Sequence, residues 1–322
     1  MPRFVVYGAG AIGGVVGSRL HQHGHEVVLI ARGPHREAIE RDGLRLEAPD
    51  GVLVQRLALA GDPAQLDWRE DDVVLLTVKS QDTAGVLARL AALAPPQIAL
   101  VCVQNGVENE RFALRLFAGT YSVAVQLPAT HLQPGVVIAH SAPITGSLDI
   151  GCHPHGLDDR ARWIAGALTG SGFSSEPRAD VARWKYAKLL RNVRNSVDAL
   201  FSRDPGAPEV DRRVREETIA AFAAAGIDHV PDAEYDARHD RLITLRPVGG
   251  RHHGGGSTWQ SLVRGSAATE ADYLNGEIVL LGRLHGVPTP VNELLRRLTG
   301  EAARGLLEPR SLTEAGFLAR LG

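Results

Sequence analysis

Short uninterrupted apolar runs recur through the first 150 positions: Phe4-Val5-Val6-Tyr7, Val27-Val28-Leu29-Ile30 after Glu26, Val73-Val74-Leu75-Leu76-Thr77-Val78, and Ile98-Ala99-Leu100-Val101-Cys102-Val103. They do not alternate polar with apolar, which is the pattern of strands buried on both faces, and the stretches between them have helical spacing. The pattern predicts a parallel sheet covered by helices on each side. Positions 136–140 and 144–150 read as further strands, an antiparallel extension at the sheet edge being one arrangement open to them. From about Ala179 the period changes, and 180–202, 210–226, 269–285 and 289–307 all carry apolar residues at three- and four-residue spacing. The second half is therefore expected to be helical, with the boundary near residue 178 after Ser174-Ser175-Glu176-Pro177.

Gly8-Ala9-Gly10-Ala11-Ile12-Gly13 falls where the first strand ends and a helix bearing Val15, Val16 and Leu20 begins. In a strand, turn, helix, strand setting this spacing builds a dinucleotide site. The first glycine permits the tight turn, the second lets the backbone approach a pyrophosphate, the third lets the helix pack on the sheet, and the helix N-terminus offers N–H groups to the anion. The expected fold is thus α/β, a Rossmann-type doubly wound parallel sheet in 1–178 that binds the nucleotide, followed by an all-helical domain in 179–322 that binds the substrate. Where an NAD enzyme carries an acid for the ribose 2′-hydroxyl, this chain has Ala31-Arg32-Gly33. Arginine suits a 2′-phosphate, which favours NADPH over NADH. Lys79 follows the third run directly and Gln104-Asn105-Gly106 the fourth, at the carboxyl ends where open α/β sheets bind ligands. Lys79 can hold a carboxylate or phosphate there, and the Asn105 carboxamide a nicotinamide or ribose.

Drawn as one helix over 180–200, the chain gathers Tyr186, Leu189, Leu190, Val193, Val197 and Leu200 on a core face. The opposite side holds Lys188, Asn192, Asn195 and Ala199, with Ser196 at the border. A solvent face would be richer in Glu and Lys; one lysine among uncharged amides suggests a cleft that binds a polar substrate. Hydride transfer to a ketone builds negative charge on oxygen and calls for a proton donor, and Lys188 is the candidate. Partial desolvation would lower its pKa, and a nearby carboxylate would hold it in place. Glu270 is available, in a segment Thr269-Glu270-Ala271-Asp272 that reads as a helix start capped by Thr269 and stopped by Gly286 and Pro288. Complementing that helix's dipole would also account for Glu270.

The 322 residues suffice for two domains with their own cores, and 35 Lys+Arg against 37 Asp+Glu offer nothing to a phosphate backbone or an anionic membrane. Nucleic acid and membrane are excluded as expected partners, since the apolar runs are also far below the ~18 residues of a spanning helix. Cys102 and Cys152 form no disulfide framework, and Met1-Pro2-Arg3 runs straight into the first strand, so a cytoplasmic protein is expected. Cys152-His153-Pro154-His155 has no matching second cluster and reads as a surface loop, as does His252-His253; no metal is expected. Gly249-Gly250 and Gly254-Gly255-Gly256 read as a flexible connector, with a cleft-covering loop the alternative. The apolar stripes of the helical half are compatible with a homodimer.

Five blocks together give the chain a family resemblance over nearly its full length. They are Gly8 to Gly13, Val78-Lys79-Ser80, Gln104-Asn105-Gly106, Lys188-Leu189-Leu190-Arg191-Asn192, and Thr269-Glu270-Ala271-Asp272-Tyr273-Leu274-Asn275-Gly276 with Gly286-Val287-Pro288-Thr289-Pro290-Val291-Asn292. On these the chain resembles 2-dehydropantoate 2-reductase, or ketopantoate reductase. The resemblance implies NADPH and a 2-oxo acid meeting in a cleft between the two domains, with reduction to the 2-hydroxy acid as the reaction. It also implies Lys188 as proton donor, Asn192 as substrate ligand, Glu270 as a contact of cofactor and lysine, and Asn105 as cofactor ligand. The serine that commonly binds the substrate carboxylate in the family is Thr258 here, flanked by Ser257 and Trp259, and Leu262 stands where many members carry aspartate. A second asparagine commonly falls eight residues after the lysine, whereas here Asn195 is at seven and Ser196 at eight. Two alternatives stay open: a different 2-oxo acid or an imine as acceptor, and a non-catalytic NADPH-binding redox sensor.

Overall fold

The computed structural model describes residues 2–204, 206–252, 254–265 and 267–321, so His253 of the His252-His253 pair lies outside the described residues. The chain divides into two compact units. The first comprises Met1–Gln104, Asn109–Lys185 and Pro231–His253, and the second Asn105–Glu108, Tyr186–Val230 and Gly254–Gly322.

The first unit carries β1 (Phe4–Tyr7), β2 (Val27–Ile30), β3 (Leu44–Ala48), β4 (Gly51–Gln55), β5 (Ala58–Ala60), β6 (Val73–Leu76), β7 (Ala99–Cys102), β8 (Thr120–Gln126), β9 (Ala129–Thr130), β10 (Val136–Ala139) and β11 (Ser147–Cys152). Its larger sheet has the order β11-β8-β7-β6-β1-β2-β5 and is parallel except for β11, which pairs antiparallel with β8 at the edge. The uninterrupted apolar runs are indeed buried throughout, at β1, β2, β6 and β7. β10 departs from the edge arrangement. It runs parallel to β3 and antiparallel to β9 in a second sheet of order β4-β3-β10-β9. This sheet covers the outer side of helix Ala11–Gln22, with Val137 closing on Gly14, so the helix is buried from Gly13 through Leu20. Leu44, Leu46 and Ala48 alternate inward along β3 while Arg45 faces out, the signature of a strand with one wet face.

A single cut at residue 178 does not reproduce the two units, because Pro231–His253 packs with the sheets. The fastening is ionic and buried. Arg238, on helix Asp232–Leu242, donates to Asp149 of β11 at 2.6 Å and to Glu176 at 2.5 Å, and Arg178 grips the other Asp149 oxygen at 2.8 Å. Both guanidiniums lie over the Trp184 ring. Arg246 N–H donates to the His140 carbonyl and continues the attachment.

The second unit is helical around Leu189, Leu190, Phe201, Phe222, Ile278, Leu295 and Phe317. The helix expected over 180–202 is two, Val181–Asn192 and Asn195–Leu200. The break has a partner: the Val193 carbonyl accepts from Asn275 Nδ2 at 3.0 Å, and Arg194 swings to a bidentate pair with Asp211. Likewise the 269–285 segment starts as a 3₁₀ turn, Glu270–Tyr273, before helix Asn275–His285. Thr269 caps that turn by accepting from Ala271 N–H, and Gly286 ends the helix in a left-handed conformation at φ 72°. Neither glycine stretch is a loose connector: Val248 and Arg251 bond across Gly249-Gly250, and Gly256 N–H donates to Asp198 at 2.9 Å. Among the described residues no helix is long and apolar enough to cross a membrane.

Candidate active site

In the first unit the glycine turn sits between β1 and helix Ala11–Gln22. Gly8 has φ 110°, and a Cβ there would lie 2.9 Å from the Val78 nitrogen. A Cβ on Gly13 would overlap the Gly8 carbonyl and Thr77 Oγ1. Thr77 clamps the turn from β6's end by donating to the Gly8 carbonyl at 2.7 Å. Gly10 is different, since a Cβ there would meet nothing within 4 Å: the space over it is open, and no side chain caps the helix it begins. An open approach over uncapped backbone donors fits a pyrophosphate. The adjoining cavity, of about 200 Å3, is lined by Gly8, Gly10, Arg32, His35, Val78 and His131, among others. Arg32 is exposed and precedes helix Gly33–Asp42, where it can face a 2′-phosphate. The two histidines carry no sequence signal. His35 Nε2 donates to the Ala9 carbonyl at 2.7 Å, its Nδ1 accepts from Gly135 N–H at 2.9 Å, and its ring lies 4.2 Å from that of His131. Burial pushes its pKa down to about 4, with His131 adding to the effect.

Lys79 lies half-buried at the carboxyl end of β6, just before the Ser80–Asp82 turn. The equivalent end of β7 is held by residues that motif reading passed over. Gln104 Nε2 donates to the Val78 carbonyl at 2.7 Å and to Thr83 Oγ1 at 2.9 Å, tying the two strand ends together. Buried Lys185 donates to the Gln104 carbonyl at 3.0 Å while paired with buried Glu110 at 2.5 Å. A lysine within an amphipathic helix reads as surface, so this pair left no trace in the periodicity.

The second unit holds the remaining candidates. Lys188 and Asn192 lie one turn apart on helix Val181–Asn192, on one face. Burial pulls the Lys188 ammonium down to about 8, Arg191 contributing in the same direction; no carboxylate acts on it. Glu270 is not among the groups that shift the Lys188 pKa. Buried Glu270 acts electrostatically on Arg264 instead. Asn192 Oδ1 and Thr258 Oγ1 are both buried without a hydrogen-bond partner, an arrangement that is costly unless a ligand supplies one. Asn195 and Ser196 follow the break after Asn192, on helix Asn195–Leu200. Asn195 Nδ2 turns to Ser257 Oγ at 3.3 Å, while Ser196 is 1% exposed and donates to Asn275 Oδ1 at 2.7 Å. Asn275 and Asn292 continue that network to Glu217. Ala199, expected on the open side, is buried where helix Ser257–Val263 packs on helix Asn195–Leu200. Trp259 stacks under Arg310 at 4.6 Å, and Leu262 belongs to the helical core. Gly106 brings the Asn105 turn against the Glu270–Tyr273 turn, a Cβ on it lying 3.3 Å from the Tyr273 carbonyl.

Known proteins are similar to this chain in sequence and fold. The family description "Ketopantoate reductase PanE/ApbA" matches residues 4–155 and its C-terminal counterpart residues 180–303. The chain is 30% identical to a 2-dehydropantoate 2-reductase of Halobacterium salinarum, covering 94% of this chain and 99% of that protein. It is 26% identical to one of Pyrococcus horikoshii, over 91% of this chain and 95% of that one. Among solved structures, a PanE/ApbA family ketopantoate reductase from Ralstonia eutropha aligns with TM-score 0.77 at 29% identity, over 94% of this chain and 99% of that one. A D-mandelate dehydrogenase solved with NADH and anilino(oxo)acetate shares the fold, with TM-score 0.80 at 22% identity over 94% and 99%.

Proposed function

The chain belongs to the ketopantoate reductase family, and from that premise and the site geometry we infer that it reduces a small 2-oxo acid to the 2-hydroxy acid with NADPH, 2-dehydropantoate to pantoate being the first candidate. The observation that carries this reading is Lys188, a partly buried ammonium whose pKa desolvation lowers to about 8, with no carboxylate among the described residues raising it, one helical turn from the Asn192 oxygen that lacks a partner among them.

When bound, the reduced nicotinamide supplies the hydride. Lys188 then holds a proton at the carbonyl oxygen of the oxo acid and releases it as charge accumulates there. Its lowered pKa brings the donor toward the working pH, where general-acid transfer is most effective. The Thr258 hydroxyl donates to the substrate carboxylate in the place of the family serine, and Asn192 Oδ1 accepts from a substrate hydroxyl such as that of ketopantoate. Gly8 to Gly13 and Arg32 hold the pyrophosphate and 2′-phosphate, with Lys79 and Asn105 as further cofactor contacts. Glu270 orients the cofactor side of the site through the turn that faces Asn105.

Leu262 supports a second reading. Its apolar side chain, packed in the core, leaves no carboxylate where many members have one, which suits an acceptor other than ketopantoate. NADPH oxidation across a panel of 2-oxo acids decides: ketopantoate giving the highest kcat/KM supports the first reading, and no turnover of it at millimolar concentration supports the second. A panel with no turnover at all, beside intact NADPH binding, supports a redox sensor. The same assay run with NADH tests Arg32. Arg32→Ala is expected to cut kcat/KM for NADPH by about 10- to 100-fold, as lost charge-assisted bonds to phosphate do, and to leave NADH use nearly unchanged. An equal loss with both nucleotides would remove the 2′-phosphate role.

A further inference from the structure

Besides the Thr77 clamp on Gly8, the glycine turn is fastened by the His35 side chain, and this fastening has a direction. Gly135 N–H can only donate, so the Nδ1 of His35 that receives it is unprotonated. The ring's hydrogen is therefore on Nε2, where it is donated to the Ala9 carbonyl. That carbonyl and the Gly10 N–H belong to the same trans peptide unit, in which C=O and N–H point opposite ways. Holding the oxygen fixes the aim of the N–H. The other end of the imidazole holds Gly135, which precedes β10, so the ring joins the pyrophosphate turn to the second sheet.

We propose that His35 is a positioning residue for the nucleotide: a neutral imidazole latch that aims the Gly10 N–H at the pyrophosphate and keeps the 131–135 turn against the same cavity. The role rests on the nucleotide reading above. A cationic ring could not accept from Gly135, so the latch requires the neutral form, and burial maintains it at neutral pH.

NADPH titrated by fluorescence against the parent chain and the variants His35→Ala, His35→Gln and His35→Asn tests it, with kcat at saturating NADPH as the companion readout. The glutamine amide nitrogen falls near the place of Nε2 and can donate to Ala9; the shorter asparagine stands in for Nδ1 alone. The latch predicts a Kd for NADPH raised about 10-fold in H35A and in H35N, and restored to within about 3-fold of the parent in H35Q, the size of one buried hydrogen bond. The loss falls in KM for NADPH, with kcat within about 2-fold. H35A binding as tightly as the parent, or H35Q binding as weakly as H35N, overturns the latch. The second comparison stands even if H35A does not fold. A parent chain that binds no NADPH overturns the nucleotide reading and the latch with it, whereas failure of the latch alone leaves parent binding intact.

Discussion

Lys188→Ala is expected to lower kcat for oxo-acid reduction by about 10²–10⁴-fold, the span that a positioned general acid contributes. NADPH affinity should stay within about 2-fold, because the glycine turn and Arg32 belong to the first unit and Lys188 to the second. The parent enzyme adds a signature that simple damage to the helix cannot mimic. Burial lowers the Lys188 pKa from its ordinary 10.5 to about 8, so the ammonium, which is the competent acid, is present below that pH and lost as pH rises through it. The kcat/KM of reduction, which reports the free enzyme, should therefore fall along a basic limb centred near pH 8. A limb near 10.5 would mean the amine is solvated and not the donor. Lys188→Arg keeps the charge but not an acid of usable strength, since a guanidinium does not release its proton in this range. It should therefore be nearly as slow as the alanine variant and lack the limb. Rates in K188A within a factor of ten of the parent would end the assignment of Lys188 as proton donor.

The route from sequence to site was uneven for reasons that lie in particular residues. The strands at Phe4–Tyr7, Val27–Ile30, Val73–Leu76 and Ala99–Cys102 were legible because burial on both faces demands unbroken apolar runs. The turn from Gly8 to Gly13 was legible because a Cβ is intolerable at two of its positions. β8 is also fully buried, yet its Thr120, Ser122 and Gln126, satisfied on the Phe117 carbonyl, His153 and His239, break the run that would have announced it. The lysine helix was misphased for a different reason. Its break after Asn192 is imposed by Asn275, about eighty positions along the chain, and no local propensity records a long-range hydrogen bond. One consequence is that Asn192 shares a helix with Lys188 while Asn195 and Ser196 lie on the next one. Lys185 and His35 were missed because their work is to hold backbone, which any residue type at any spacing can present, and Glu110 because it only pairs with Lys185.

The placement of Pro231–His253 gives the largest expected effect on folding. Arg238→Ala should cost about 2–3 kcal/mol, because it removes one of the two guanidiniums on buried Asp149 while Arg178 remains. Asp149 is 2% exposed and would keep only Arg178 and a backbone N–H. Glu176 would lose its contact at 2.5 Å, and the Trp184 face would lose one of its two guanidiniums. Sequence gave no hint of this, since Asp232–Leu242 reads as a polar helix with Tyr235 and Arg238 alone buried. Arg238→Lys should fall between parent and alanine: it restores a charge but not the fork that reaches Asp149 and Glu176 together. Urea denaturation checks the magnitude, with the midpoint of the transition lowered by about 1 M or more at ordinary slopes. Limited proteolysis checks the location, with new cleavage inside 231–253 preceding cleavage elsewhere as the segment opens on its own. The pairing itself is tested by Asp149→Asn/Arg238→Ala, in which the stranded charge is gone, so the double variant should be less destabilised than the sum of the two single changes. Strict additivity would mean that the two side chains act separately.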